Sequence, residues 1–372
     1  MEKIDITIIG AGVIGLSIAY ALGKLDKDVL VIEKNSSFGQ ETSSRNSEVI
    51  HSGIYYPPGS MKADTCIQGR ELLYDFCLKY NIDHKRSGKI LAASDDEGIK
   101  KIGSIYKNAM DCGIDNLKML DKKEIHEIEP EIQSEAAVFC PDSGIIDSHG
   151  LMKTLYGLSR DRNTVFAFGV KVTGIRKTGS GYSIAVEEPH GEYFNFNSSI
   201  VINAAGLGSE EIAALAGINT DKTRYTLHFC KGQYFRLKNP AKYPVTHLVY
   251  PPPGKTGLGI HLTPDLAGGL RLGPDSKYVQ QLDYSIDERD RSVFFDSVKV
   301  FLPGLDISDL IPDTAGIRPK LQQRSEYFRD FVIIEESGKG LPGFIDLVGI
   351  ESPGLTACLS IGKMVRDMVI KC

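Results

Sequence analysis

The stretch IDITIIGAGVIGLSIAYALGKLDKDVLVIEK, residues 4–34, decides the fold. It reads as strand, turn, helix, strand. Ile6 to Ile9 is apolar and isoleucine-rich, as a parallel strand buried on both faces should be. Gly10, Gly12 and Gly15 then give G-x-G-x-x-G where the helix opens. In such a turn the first glycine permits the tight bend and the second lets backbone approach a pyrophosphate. The third lets the helix pack closely on the strand. The helix amides present their positive end to the phosphates. A second apolar run, Val29 to Ile32, ends in Glu33, where an acid accepts hydrogen bonds from the ribose hydroxyls of an adenosine. A lone glycine motif is weak evidence. One that follows a strand, opens a helix and has an acid closing the next strand defines a Rossmann-type, dinucleotide-binding α/β unit. A signal peptide or membrane anchor would fit the glycines and the early strand poorly.

With 372 residues the chain is long enough for one large or two intertwined domains. Its net charge of −5 supplies no basic footprint for nucleic acid. Glycine interrupts every long apolar run, which argues against a membrane-spanning helix and leaves peripheral membrane contact open. The seven cysteines are odd in number and scattered, with no C-x-x-C pair. They suggest neither a zinc site nor a disulfide framework, no metal ligands are assigned, and free thiols fit a reducing cytoplasm.

Working outward, residues 35–60 are polar and glycine-punctuated. Ser43, Ser44, Arg45, Asn46 and Ser47 supply hydroxyl, amide and guanidinium donors in one run. The plain alternative is a solvated loop; the functional one is a loop crossing the cofactor and ending at His51. Ser60 is expected to cap a helix with Cys66, Gly69, Leu73, Phe76 and Tyr80 on its buried face and Lys62 in its first turn. From Lys89 the pattern becomes α+β, with KILAAS as a strand and a polar helix over residues 96–112. Residues 165–175, 182–187 and 193–196 read as strands. Residues 200–202 form a buried strand ending in the small residues Asn203 to Gly206, and Ser209 is expected to cap the next helix. Residues 225–272 are β-rich and carry Lys231, Tyr250, His261 and Arg271, with alternate positions facing one side. Residues 286–301 read as helix. A last strand, 344–348, runs into a glycine turn and a helix from Thr356, again placing amides around a ligand. The expected cofactor unit is therefore residues 1–85, 146–222 and 312–372. The remainder, 86–145 and 223–311, forms a mixed-sheet substrate unit intertwined with it.

Several of these separated segments together resemble the D-amino-acid-oxidase superfamily of FAD enzymes over essentially the whole chain. The best match within it is similar to the L-2-hydroxyglutarate dehydrogenase/oxidase family. RNSEVIHSGIYYPPGSMKA (45–63), GIHLTPDLAGGLRLGPD (259–275), AGIRPKLQ (315–322) and LVGIESPGLTACL (347–359) carry that likeness. The resemblance implies FAD, with a sheet covering the flavin; no cysteine stands in an attachment motif, so the FAD is expected to be noncovalent. It implies cofactor contacts at the first turn, including Val13 and Ile14, at Glu33 and Lys34, and at Thr42 through Ser47. Val172, Ala205, Gly206 and Leu207 are implied as well. So are Gly349, Glu351, Ser352, Pro353, Gly354, Leu355 and Thr356 of the C-terminal turn. It also implies a small carboxylate substrate and oxygen or a quinone as electron acceptor.

For a 2-hydroxy acid, the C2 hydride must reach the flavin and a base must take the hydroxyl proton. A neutral histidine suits that near pH 7. His51, in the family-like VIHSG, and His261, on the cover, are the candidates. Arg318, in GIRP, is the best carboxylate ligand because its guanidinium can hold a carboxylate in two parallel bonds. Lys62, Lys231, Tyr250, His261 and Arg271 are candidates for a distal substrate group. Three alternatives remain at this level: an amine or amino-acid oxidase, which needs no histidine base; a glycerol-3-phosphate dehydrogenase; and a non-catalytic flavin-fold binding protein. The compartment expected from the thiols is the cytoplasm, with association at the inner membrane face open.

Overall fold

The computed structural model describes residues 3–254, 258–324 and 326–372. The opening segment folds as the glycine pattern requires, with strand Lys3–Ile9, helix Val13–Leu22 and strand Val29–Glu33. The two strands pair in parallel, Ile6 opposite Val29 and Ile9 opposite Ile32. Lys3–Ile9 lies at the centre of an eight-stranded sheet, in the order Lys171–Thr178, Gly181–Glu187, Tyr193–Asn203, Lys3–Ile9, Val29–Glu33, Val165–Phe168. Tyr193–Asn203 spans 11 residues and serves two neighbours on one side. Its first half pairs antiparallel with Gly181–Glu187, and its last residues pair in parallel with Phe344–Val348. The chain's C-terminal strand is thereby drawn beside its N-terminal one. Helix Gly354–Val369 then packs with Val13–Leu22, burying Ala357, Ile361 and Val365 among Ile6, Ile8 and Ile18.

A nine-stranded mixed sheet covers one side of this unit. Along Lys89–Ala93 the side chains alternate. Ile90 and Ala92 join the core around Phe235 and Phe294, whereas Leu91 and Ala93 join the one around Val138 and Tyr250. The amphipathic helix Asp96–Asp111 seals the second core through Ile102 and Ala109, and Asp95 caps it by accepting from the Gly98 amide at 2.7 Å.

The structure corrects four details. The strand expected over 165–175 is two strands, because Gly169 turns the chain at φ +73°. Val165–Phe168 pairs in parallel with Val29–Glu33, whereas Lys171–Thr178 pairs antiparallel with Gly181–Glu187. Ser209 is the first residue of helix Ser209–Leu215 rather than its cap; Gly208 precedes it and no side chain caps the turn. The helix expected over 286–301 is confined to Arg291–Lys299, after a short 3₁₀ turn. Finally, Leu310–Lys320 is hydrogen-bonded along His228–Leu237 and so belongs to the cover sheet, although residues 312–320 were expected in the cofactor unit. Every strand of the eight-stranded sheet lies in the residue ranges assigned above to the cofactor unit. On this sorting we propose the division given above, with the boundary moved from 312 to after Lys320.

Candidate active site

Between the two sheets lies a cavity of about 690 Å³, within the size range of small-molecule and cofactor sites. Five segments far apart in sequence meet there. The first turn contributes Gly10, Gly12, Val13 and Ile14, with Glu33 beside them; the polar loop contributes Thr42, Ser43, Arg45, Asn46 and Ser47. Ala205, Gly206 and Leu207 enter at the end of Tyr193–Asn203. The C-terminal turn brings Glu351, Ser352, Pro353, Gly354 and Leu355, all five of which were expected at the cofactor. The cover adds Tyr250, His261 and Arg318.

The turn at Gly10 admits no side chain. Its φ is +105°, and a Cβ there would sit 2.5 Å from the Ala204 carbonyl oxygen; one on Gly15 would sit 1.9 Å from that of Gly10. Glu33 accepts from the Ala11 amide at 2.8 Å and from the Asn35 amide and side chain at 2.9 and 2.8 Å. A carboxylate has about four acceptor sites, so one remains for a ribose hydroxyl. Ser43 Oγ accepts from the Val13 amide at 2.9 Å and ties the polar loop to the start of the helix. The same loop docks on the cover through Thr42 Oγ1, which donates to the Ile317 carbonyl at 3.1 Å. These residues would hold an adenine dinucleotide through Glu33 and the glycine-turn amides.

The chemical end of the cavity holds His51 and His261. The His51 amide donates to Thr356 Oγ1 at 3.0 Å, and its Nε2 lies 3.2 Å from Ser352 Oγ. Burial, with the charges of Lys89 and His261 next, holds its imidazole well below the ordinary histidine value. The His261 ring lies on the Tyr250 ring, centroids 3.7 Å apart and 12° from parallel. Its Nδ1 is 3.1 Å from the Gly259 carbonyl, and its buried Nε2 has no partner within the protein. Burial lowers its value to about 3; the Gly259 bond opposes this, and the charges of Lys89 and Arg318 add to it. Both rings are thus neutral near pH 7.

Arg318 Nη2 donates to the Asp275 carbonyl at 2.8 Å and Nη1 to Cys230 Sγ at 3.3 Å. Among the described residues no carboxylate forms an ion pair with it, although the Glu351 charge acts on it from a distance, and the guanidinium lines the cavity.

Other expected residues have different work. Lys62 is buried and bonds Glu351 at 3.0 Å and the Arg329 carbonyl at 2.9 Å; Lys320 reaches the same carboxylate at 3.0 Å. Both Lys62 and Glu351 line the cavity, but their charges are spent on each other. Arg271 is held by Asp313 at 2.6 Å, and Lys231 by Asp283 at 2.7 Å, so neither is free for a substrate. Lys34 pairs with Glu41, and Ser44 donates to the Glu41 carbonyl. Val172 sits in the hydrophobic core near Ile9 and Ile32. Gly349 packs on Leu321, and Gly15 and Thr356 act behind the cavity wall. Sequence reasoning missed Lys89 and Tyr55. Lys89 is wholly buried at the head of an otherwise apolar strand, and Lys89 Nζ, Tyr55 OH and Tyr250 OH all lack partners within the protein. A lysine opening a run of four apolar residues was the available signal.

A glycine-turn α/β unit with a dinucleotide-sized cavity beneath a covering mixed sheet is the architecture of an FAD-dependent oxidoreductase. Residues 5–368 match the family model described as FAD dependent oxidoreductase, and the chain belongs to that family. FAD is its cofactor. The chain is 34% identical to the mitochondrial L-2-hydroxyglutarate dehydrogenase of Arabidopsis thaliana, over 100% of this chain and 84% of that protein. It is 28% identical to a glycerol 3-phosphate dehydrogenase of Caloramator mitchellensis, over 98% of this chain and 73% of that one. Among solved structures, FAD-bound L-alpha-glycerophosphate oxidase of Mycoplasma pneumoniae superposes with a TM-score of 0.88 and 25% identity, covering 100% of this chain and 95% of that one. No described helix is long and apolar enough to cross a membrane.

Proposed function

We propose that the chain oxidises a small 2-hydroxy acid to the 2-oxo acid, with L-2-hydroxyglutarate as the first candidate. The observation that carries this reading is one cavity holding a guanidinium without an ion-pair partner, Arg318, and two neutral histidines. Arg318 holds the substrate carboxylate in paired hydrogen bonds and so fixes C2. A histidine, His51 first and His261 second, takes the hydroxyl proton as the carbonyl forms. Ser352 and Thr356 hold His51 in place, one at its ring and the other at its amide. Bound FAD supplies the acceptor for the C2 hydride.

The 34% identity to the Arabidopsis protein supports the hydroxyglutarate assignment. The likeness to the Mycoplasma oxidase favours glycerol 3-phosphate as the second reading. Either donor is a CH–OH group, oxygen or a quinone would reoxidise the flavin, and the seven free thiols support a reducing compartment such as the cytoplasm. The test is anaerobic bleaching of the bound flavin by a panel of both 2-hydroxyglutarate enantiomers, glycerol 3-phosphate, glycine and other amino acids. Bleaching by glycerol 3-phosphate alone would establish the second reading in place of the first.

A further inference from the structure

Lys89 is fully buried in strand Lys89–Ala93, and its Nζ has no hydrogen-bond partner in the protein. The other four residues of that strand are apolar and equally enclosed, so packing alone would favour another apolar side chain there. By strand alternation Lys89 shares a face with Leu91 and Ala93, the face that packs with Tyr250. Its Nζ lies over the Tyr250 ring, 4.3 Å from the centroid, and 5.6 Å from that of Tyr55. The His261 ring covers a face of Tyr250 at 3.7 Å. One ring face has no room for both, so Lys89 takes the other and Tyr250 is sandwiched between ammonium and imidazole.

The ionisable groups facing this cluster come from each element packed around it. They are His51 and Tyr55 from the segment after Val49–Ile50, Cys66 from helix Met61–Tyr80 and Cys140 from strand Ala136–Cys140. Tyr56, Tyr234, Tyr250, His261 and Arg318 complete the set. None is a carboxylate. Burial pushes the thiols of Cys66 and Cys140 up to about 12 and about 11, so neither neutralises the lysine near pH 7. Burial likewise lowers Lys89, to about 8, which leaves it mostly charged at pH 7. Its field falls on the two histidines.

We propose that Lys89 is a positioning residue for the base: its ammonium, seated on Tyr250, disfavours a proton on His51 and His261, so that both rings stand neutral in the free site and the base readily sheds the proton it takes from substrate. The proposal rests on the functional reading above, in which a histidine is the base. A cation–π seat holds the charge without a carboxylate that would cancel it, and the low-dielectric surroundings let it act at a distance.

The test uses the FAD-loaded protein with histidine-selective isotope labelling. Imidazole titrations by NMR in wild type, Lys89→Met and Lys89→Gln are compared, with His51→Gln and His261→Gln giving the assignments. The expected result is a titration midpoint of at least one of the two histidines about one pH unit higher in both lysine variants. The acid limb of anaerobic flavin reduction should move up with it. Midpoints equal to wild type in a folded variant would overturn the proposal. So would failure of both variants to fold with flavin, which would make Lys89 a structural residue. Wild type that no 2-hydroxy acid reduces would defeat the functional reading, while the titrations would still decide the role of Lys89.

Discussion

Nε2 of His51 lies 3.2 Å from Oγ of Ser352, although the two residues are 301 positions apart. Thr356 Oγ1 accepts from the His51 amide and donates to the Val49 carbonyl at 3.3 Å. The C-terminal turn therefore finishes the site that the N-terminal loop begins. Removing the base in His51→Ala should slow flavin reduction by roughly 10²–10⁴. Ser352→Ala keeps the base and loses one hydrogen bond, so a slowing of about tenfold or less is expected. Stopped-flow reduction without oxygen measures both, and equal losses would show that the serine does more than orient.

Arg318→Lys keeps a positive charge but loses the planar fork. If Arg318 holds ground and transition states alike, KM should rise about 10–100-fold with kcat little changed. Steady-state kinetics on the best hydroxy acid checks this. A loss confined to kcat would place the guanidinium at the transition state instead.

Glu33→Ala should weaken FAD retention by about 1–3 kcal/mol, because the ribose hydroxyl would lose its acceptor, and the turn would lose the Ala11 and Asn35 bonds that shape it. Flavin release on dialysis measures the effect. Retention equal to wild type would show that this acid does not hold the adenosine.

Lys62, Glu351 and Lys320 form a buried cluster beside the cavity. Burial would raise the Glu351 carboxyl, but the two ammonium groups outweigh it and hold it at about 2. The folded value is below the unfolded one, so this stabilisation is complete above about pH 4.5 and is lost as pH falls toward about 2. Lys62→Met should cost about 3–5 kcal/mol at pH 7, the usual penalty for breaking a buried pair, and should move the acid loss to higher pH. Thermal unfolding across pH checks both, and an unchanged midpoint at pH 7 would contradict the pairing.

The cofactor half was readable because its signals are local. Gly10, Gly12, Gly15 and Glu33 lie within one strand–helix–strand unit, where backbone geometry dictates residue type. The substrate end was harder to read because side-chain pairing decides it. Lys62, Lys231 and Arg271 stand in the sequence as candidates for a distal substrate group, ranked behind Arg318, and their pairing with Glu351, Asp283 and Asp313 exists only in the folded chain. Lys89 escaped notice because burial and the lack of a partner are properties of the folded chain. The assignment of Leu310–Lys320 turned on its long ladder with His228–Leu237, a nonlocal pairing that periodicity does not encode.

The central claim is that a 2-hydroxy acid gives up its C2 hydride in this cavity. The most direct measurement mixes the FAD-loaded protein anaerobically with L-2-hydroxyglutarate, either unlabelled or deuterated at C2, and follows flavin absorbance in a single turnover. The account predicts bleaching with both, slower for the deuterated acid. Flavin that stays oxidised with every hydroxy acid but bleaches with glycine or another amine would contradict it.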